Sequence, residues 1–220
     1  MRSRLPALLW SGVFLAVLAW SAVDPRDRPT WWLEVLPALA GAGVLAATRR
    51  HHPLTPLAYV LVLIHAVILM IGGHYTYAEV PLGDWVAQLL DQGRNNYDKL
   101  GHFAQGFVPA ILAREVLLRC LAVRPGAWLV LFVLSFCLAL SAFYELVEWW
   151  VALASERAAD AFLATQGYAW DTQSDMLWAL IGAIAALALL SRVHDRQLTR
   201  LRRRLLRPAS VADTDVNRAD

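Results

Sequence analysis

The sequence predicts an all-α, polytopic membrane helix bundle of about six transmembrane helices, with short interfacial helices in its outward loops. Three observations carry this expectation. The 220-residue chain is 58% hydrophobic with a mean hydropathy of +0.45, well above an ordinary soluble domain. Its apolar residues gather into runs near the roughly 20 residues that a helix needs to cross hydrocarbon. It carries ten Trp, and Trp31 and Trp32 stand where an interfacial aromatic belt would begin the second run. No Gly/Ser linker divides the chain, so residues 1–207 read as one integral-membrane domain.

The first run, Leu5 to Val23, follows Arg2 and Arg4. It is long for a signal-peptide core, and Asp-Pro-Arg replaces a small-x-small cleavage site, so it reads as a retained span over about 5–23. The second, about 31–48, is the weakest, being short and containing Glu34 and Pro37. The third, about 54–73, holds His65, which is expected to hydrogen-bond to a neighbouring helix. The fourth, about 100–123, contains Arg114 and Glu115 toward its far end, where snorkelling or mutual pairing accounts for them. The fifth covers about 127–150. The sixth, about 172–192, must draw in Trp170 to Asp175, because Met176 to Ser191 is only sixteen residues. A basic segment follows it, and the tail 208–220 lacks an apolar period and is expected to be disordered. Cys120 and Cys137 lack metal-type spacing and read as buried free thiols.

Arg2/Arg4, Arg49/Arg50 with His51/His52, Arg119/Arg124 and the run from Arg192 to Arg207 fall on alternate sides of successive spans. The positive-inside rule then places both termini in the cytoplasm, and loops 74–98 and 151–171 face outward. Within the first loop, residues 79–92 put Trp85, Leu89 and Leu90 on one helical face, which suits a short interfacial helix. Residues 154–166 could form a second such element, and the two could roof an outward cavity. The basic tail reads as a stop-transfer signal and lipid-headgroup anchor, which excludes nucleic acid as the expected partner and leaves membrane lipids.

Three apolar stretches each carry ionisable residues one helical turn apart: Asp98/His102, Glu145/Glu148 and Asp171/Asp175. Such groups are costly in a membrane and tend to be functional unless they mark a helix end. Residues at i and i+3 or i+4 share a helix face, so each pair can point into a bundle interior. Gathered there, they can bind a divalent metal, or raise one another's pKa to serve as proton donor and acceptor. Lys99 would offset part of the charge or bind a phosphate. His74, Tyr75 and Glu79 lie on the same outward side and join Lys99 as candidate ligand-binding residues. Blander roles are open beside these: Asp98 can start a helix, His102 can be a structural hydrogen bonder, and the whole set can be polar glue between helices. No strong metal motif such as H-E-x-x-H is present.

The stretches H-Y-T-Y-A-E-V-P-L-G (74–83), N-N-Y-D-K-L-G-H-F-A-Q-G (95–106), S-A-F-Y-E-L-V-E-W-W (141–150) and Q-G-Y-A-W-D-T-Q-S-D-M (166–176) resemble the YjdF-like family of bacterial inner-membrane proteins. The resemblance runs from the first span to the sixth and implies a polytopic inner-membrane protein without supplying a mechanism. A fainter similarity reaches the VanZ-like proteins of the cell envelope. Their D-K-x-x-H-F, a Glu on the next span, and D-x-x-x-D-x-x-x-N-x-x-G are similar to Asp98, Lys99, His102, Phe103, Glu145, Asp171, Asp175 and Gly182. Ala179 stands where that pattern has Asn, and Glu148 where Gln is common.

Together these readings predict an inner-membrane protein with an acid- and histidine-lined pocket open to the periplasm, acting on or binding an envelope-related lipid or amphiphile. A small proton- or cation-coupled transporter and a non-catalytic membrane assembly partner are the alternatives.

Overall fold

A computed structural model describes residues 5–154 and 166–206. These residues form helices α1 (Leu5–Ser21), α2 (Arg28–Thr48), α3 (Pro56–Tyr75), a 3₁₀ turn (Tyr77–Glu79), α4 (Pro81–Leu89), α5 (Tyr97–Arg119), α6 (Ala127–Ala154) and α7 (Asp171–Leu205), with no strand among them. Helices α2, α3, α6 and α7 are each long and apolar enough to cross a membrane, and α1 is a shorter apolar helix of 17 residues. The tail 208–220 and most of the second outward element expected over 154–166 lie outside the described residues.

Local chemistry sets the helix starts. Asp27 caps α2, its carboxylate accepting from Thr30 N at 2.8 Å, with Pro29 in the first turn. Thr55 and Pro56 repeat the arrangement at α3. The capping Asp27 moves the start of α2 upstream of the apolar limit, so the second helix is longer than hydropathy alone suggests. At the other extreme, α7 continues past Arg192 as a basic helix to Leu205, because nothing in that segment breaks the hydrogen-bond ladder.

The bundle is turned inside out relative to a soluble protein. Large apolar side chains such as Leu36, Ile64, Phe132, Phe136 and Phe143 face outward, while Glu34, Asp98, His102, Arg114, Glu115, Asp175 and His194 are buried. Lipid supplies the apolar environment, so the interior is free to hold polar groups and small residues. Helix α5 is the centre, packed on α3, α6 and α7. It misses the apolar standard for a span because of Asp98, Lys99, Arg114, Glu115 and Arg119, yet its neighbours wrap it. Gly106 of α5 meets the Ala179 carbonyl, and Gly182 of α7 meets the Phe103 carbonyl, so a side chain at either position would force the two backbones apart.

The connection from α3 to α5 forms a roof over one end. Asn95 ties it down: its amide donates to Val80 O at 2.9 Å and Asp84 Oδ1 at 2.8 Å, and its Oδ1 accepts from Tyr97 N at 3.0 Å. Helix α4 is the expected interfacial helix, with Trp85 and Leu89 exposed on its apolar face. The opposite end carries Arg49, Arg50, Arg119, Arg124 and the α7 extension. These are called below the roofed end and the basic end.

Candidate functional site

The first turns of α5 set the site. His102 follows Asp98 by one turn, and its Nε2 lies 3.4 Å from Asp98 Oδ1. Its other ring nitrogen, Nδ1, is 3.0 Å from Gln105 Oε1, and in the tautomer protonated at Nδ1 it donates to that oxygen. In that tautomer Nε2 presents its lone pair toward the carboxylates. Helix α7 brings Asp175, 2% exposed, to this side, and α6 brings Glu145, whose Oε1 is 3.9 Å from His102 Nδ1, with Glu148 beside it. One ligand atom each from Asp98, His102 and Asp175 lie within 4.8 Å of one another, and so do one each from His102, Glu145 and Glu148. The pairs Asp98/His102 and Glu145/Glu148 each present two side chains in one direction, as their spacing predicts, and five of the six residues converge.

Asp171, the sixth, is in neither of these close groups of ligand atoms. Both terminal nitrogens of Arg94 donate to its Oδ1 at 3.0 Å, an ion pair that neutralises it at the mouth of the cluster. Arg94 and Lys99 also both stand over the ring of Tyr168, each 5.3 Å from its centroid. The remaining ligand candidates are at the same end but off the cluster. His74 Nδ1 is 3.1 Å from Ser21 O, its ring packs against Trp20 and Tyr75, and Glu79 pairs with Arg26 at 3.2 Å on the surface.

Three buried oxygens of the cluster have no hydrogen-bond partner among the described residues: Asp98 Oδ2, Glu145 Oε1 and Asp175 Oδ1. Most buried polar groups are satisfied, and each orphan carries a cost of about 1–3 kcal/mol or more when charged. Beside Asp98 opens a cavity of about 130 Å³, lined by Glu34, Tyr77, Asp98, His102, Tyr144 and Glu148 together with apolar Pro37, Leu69 and Leu140. That volume exceeds the space one water needs several-fold. The walls come from α2, α3, α5 and α6. Helices α2 and α6 have no extensive packing against each other, and the Tyr144 hydroxyl donates a long 3.4 Å hydrogen bond to Glu34 Oε2 across the gap.

Several of these residues escaped sequence reasoning. Glu34 counted against its span, although a lone acid in an apolar run is itself the signal of an intramembrane site. Tyr77 fits against Gly72 and Gly101, which leave room for its ring, and burial pushes its hydroxyl well above the usual tyrosine range, leaving it a neutral donor. His65 lines the cavity, and among the described residues its ring makes no hydrogen bond to a neighbouring helix.

A second buried ionic group lies at the basic end, and it corrects the expectation for Arg114 and Glu115. Neither side chain snorkels, and they do not pair with each other: they are 4% and 1% exposed. Arg114 donates to Asp195 Oδ1 at 2.7 Å and approaches His194 Nδ1 at 3.1 Å. Glu115 accepts from Thr55 N at 3.1 Å, from Thr55 Oγ1 at 2.8 Å, and from Arg119, and His194 Nε2 is 3.1 Å away. Cys120 differs too: it is exposed, 3.0 Å from His52 Nε2, because α5 ends at Arg119 before the apolar stretch does, whereas Cys137 is buried as expected.

The DUF2238 family, described as a predicted membrane protein, matches residues 6–196. The chain is 51% identical over 184 residues to inner membrane protein YjdF of Escherichia coli strain K12, covering 84% of this chain and 88% of that protein. No solved structure gives a significant match. These matches carry the YjdF-like resemblance, while the VanZ-like one rests on its motif alone.

Proposed function

This chain belongs to the DUF2238 family of predicted membrane proteins, and from that premise we propose that it is a six-span inner-membrane protein whose buried acid and histidine cluster faces the periplasm and binds or acts on a lipid-linked or other amphiphilic ligand. Both termini lie in the cytoplasm in this reading, with the basic end inside. Asp98, His102, Glu145, Glu148 and Asp175 form the reactive group, with Glu34, Tyr77 and Tyr144 beside it. Asp171 and Lys99 stand at its mouth, and His74, Tyr75 and Glu79 flank the roof that an approaching headgroup would meet.

One observation supports this most: Asp98, which keeps a buried oxygen without a partner, borders a largely apolar cavity that also holds Glu34 and Glu148, between α2 and α6, which pack little on each other. A polar headgroup can satisfy the oxygens while its chain stays in hydrocarbon. Glue between helices needs saturated polar contacts, and this cluster leaves acceptors unpaired. Transport needs a polar path, yet from His102 to Arg114, a rise of about 18 Å along α5, the interior is filled by Leu61, Val108, Ile111, Val133, Ala183 and Ala186.

Native mass spectrometry of the protein in nanodiscs made from envelope lipids tests the reading. Wild type is expected to retain an amphiphile that Asp98→Asn, Glu145→Gln and Glu34→Gln lose while remaining folded. Equal retention by all four proteins would sink the ligand-binding reading. Proton flux into dye-loaded proteoliposomes, abolished by the same changes, would put transport in its place.

A further inference from the structure

Asp98 and Asp175 are acceptors, and so is His102 Nε2 once Nδ1 donates to Gln105. Three acceptor groups from two helices face one another in a buried space, and Asp98 Oδ2 and Asp175 Oδ1 are without partners. Acceptors gathered this way call for a proton shared between carboxylates or for a cation that all of them can reach. A proton on Nε2 would serve Asp98 Oδ1, 3.4 Å away, but would balance one negative charge and leave both orphaned oxygens as they are. A divalent ion balances two.

We propose that Asp98, His102 through Nε2, and Asp175 form a divalent-cation centre suited to Zn²⁺ or Mn²⁺. This deepens the reading of the cluster as the functional site and rests on it. The 3.4 Å between Nε2 and Asp98 Oδ1 is the edge of a tetrahedron with bonds of about 2.1 Å, the length such ions make with imidazole and carboxylate. The three ligand atoms lie within 4.8 Å of one another, so closing on such an ion requires the side chains to move inward. Gln105 plays the outer part, fixing the tautomer and ring plane as partners of metal-bound histidines do. Three protein ligands leave a coordination position for water or for an anionic oxygen of the ligand, such as a phosphate. Glu145, 3.9 Å from Nδ1, stands on the other side of the imidazole, placed to accept a proton rather than to complete the ligand set.

The test uses detergent-purified full-length protein, stripped with EDTA and dialysed against Zn²⁺ or Mn²⁺, with metal counted by elemental analysis. One ion per chain is expected, bound at least tenfold more weakly by Asp175→Asn and His102→Gln. Cys120→Ser, which removes the surface thiol beside His52, should leave that stoichiometry unchanged. The X-ray absorption spectrum of the wild-type zinc form, which requires no variant to fold, should show a nitrogen and oxygen shell with imidazole scattering. Sulfur in that shell, no stoichiometric ion, or full retention by Asp175→Asn overturns the centre. If metal is absent while Asp98→Asn still loses the amphiphile, the centre falls and the ligand site stands. If metal binds as expected but every variant keeps the amphiphile, the centre stands and the ligand reading falls.

Discussion

At the basic end, Glu115 is surrounded by donors: the Thr55 amide and hydroxyl, Arg119, and the His194 ring, while Arg114 is held by Asp195 and His194. At the roofed end of the same helix, Asp98, Glu145 and Asp175 surround one imidazole and leave three oxygens unpaired. Both groups are buried, ionic and built from α5 and α7, so depth in the bundle does not separate them. Saturation does. A cluster whose every charge is matched contributes a fixed geometry, joining the start of α3 to α5 and the α7 extension. A cluster with surplus acceptors keeps capacity for something that arrives from outside.

Breaking the saturated group should have the largest effect. Glu115→Gln removes the charge that Arg119 and His194 face, and is expected to cost about 3 kcal/mol, in the range for stripping one partner from a buried ion pair. Unfolding by SDS or by force in bicelles reads this directly, and a loss under about 1 kcal/mol would erase the contrast. Next, a double-mutant cycle on Glu115 and His194 should give a coupling of about 1–2 kcal/mol. The same cycle on His102 and Glu145, 3.9 Å apart, should give well under that, and equal couplings would show that the two ends are built alike. The roofed end should tolerate neutralisation. Asp98→Asn and Asp175→Asn are expected to change stability by less than about 1 kcal/mol, or to raise it, because each residue keeps a buried oxygen without a partner.

Orientation gives a sharper test without an energy scale. A single Cys at Gln92, near the end of the roof, should react with a membrane-impermeant maleimide from the periplasm in a Cys-free background. Labelling only after permeabilisation would reverse the proposed topology and put the unsaturated group inside. Smallest of all, deletion of 208–220 is expected to alter thermal stability by no more than about 0.5 kcal/mol, as for surface changes. A larger loss would mean that the tail docks on the bundle.

What could be read from the sequence was whatever repeats locally. Apolar runs gave the helices because a span has to be long and greasy, and the pairs at i, i+3 and i+4 gave the cluster because helix periodicity alone brings Asp98 beneath His102. Contacts between distant residues left no such trace. Arg94 reaching Asp171, and Tyr144 reaching Glu34, join elements that no spacing rule connects. His194 was hidden by its surroundings: set among arginines, it reads as part of a solvated basic tail, whereas α7 turns it inward to complete the Glu115 group. Glu34 was visible but misjudged, since a charge that weakens a span's hydropathy is also what a buried site requires.

The apolar layer of Val108, Ile111, Val133 and Ala183 has an electrical consequence. One elementary charge that traverses the whole membrane potential gains about 2.3 kcal/mol per 100 mV. A cation seated between Asp98 and Asp175 stops before that layer, across which most of the field falls, and so gains only a fraction of this energy. Occupancy of the roofed cluster should therefore respond to the concentration of its ligand and hardly at all to whether the cell is energised.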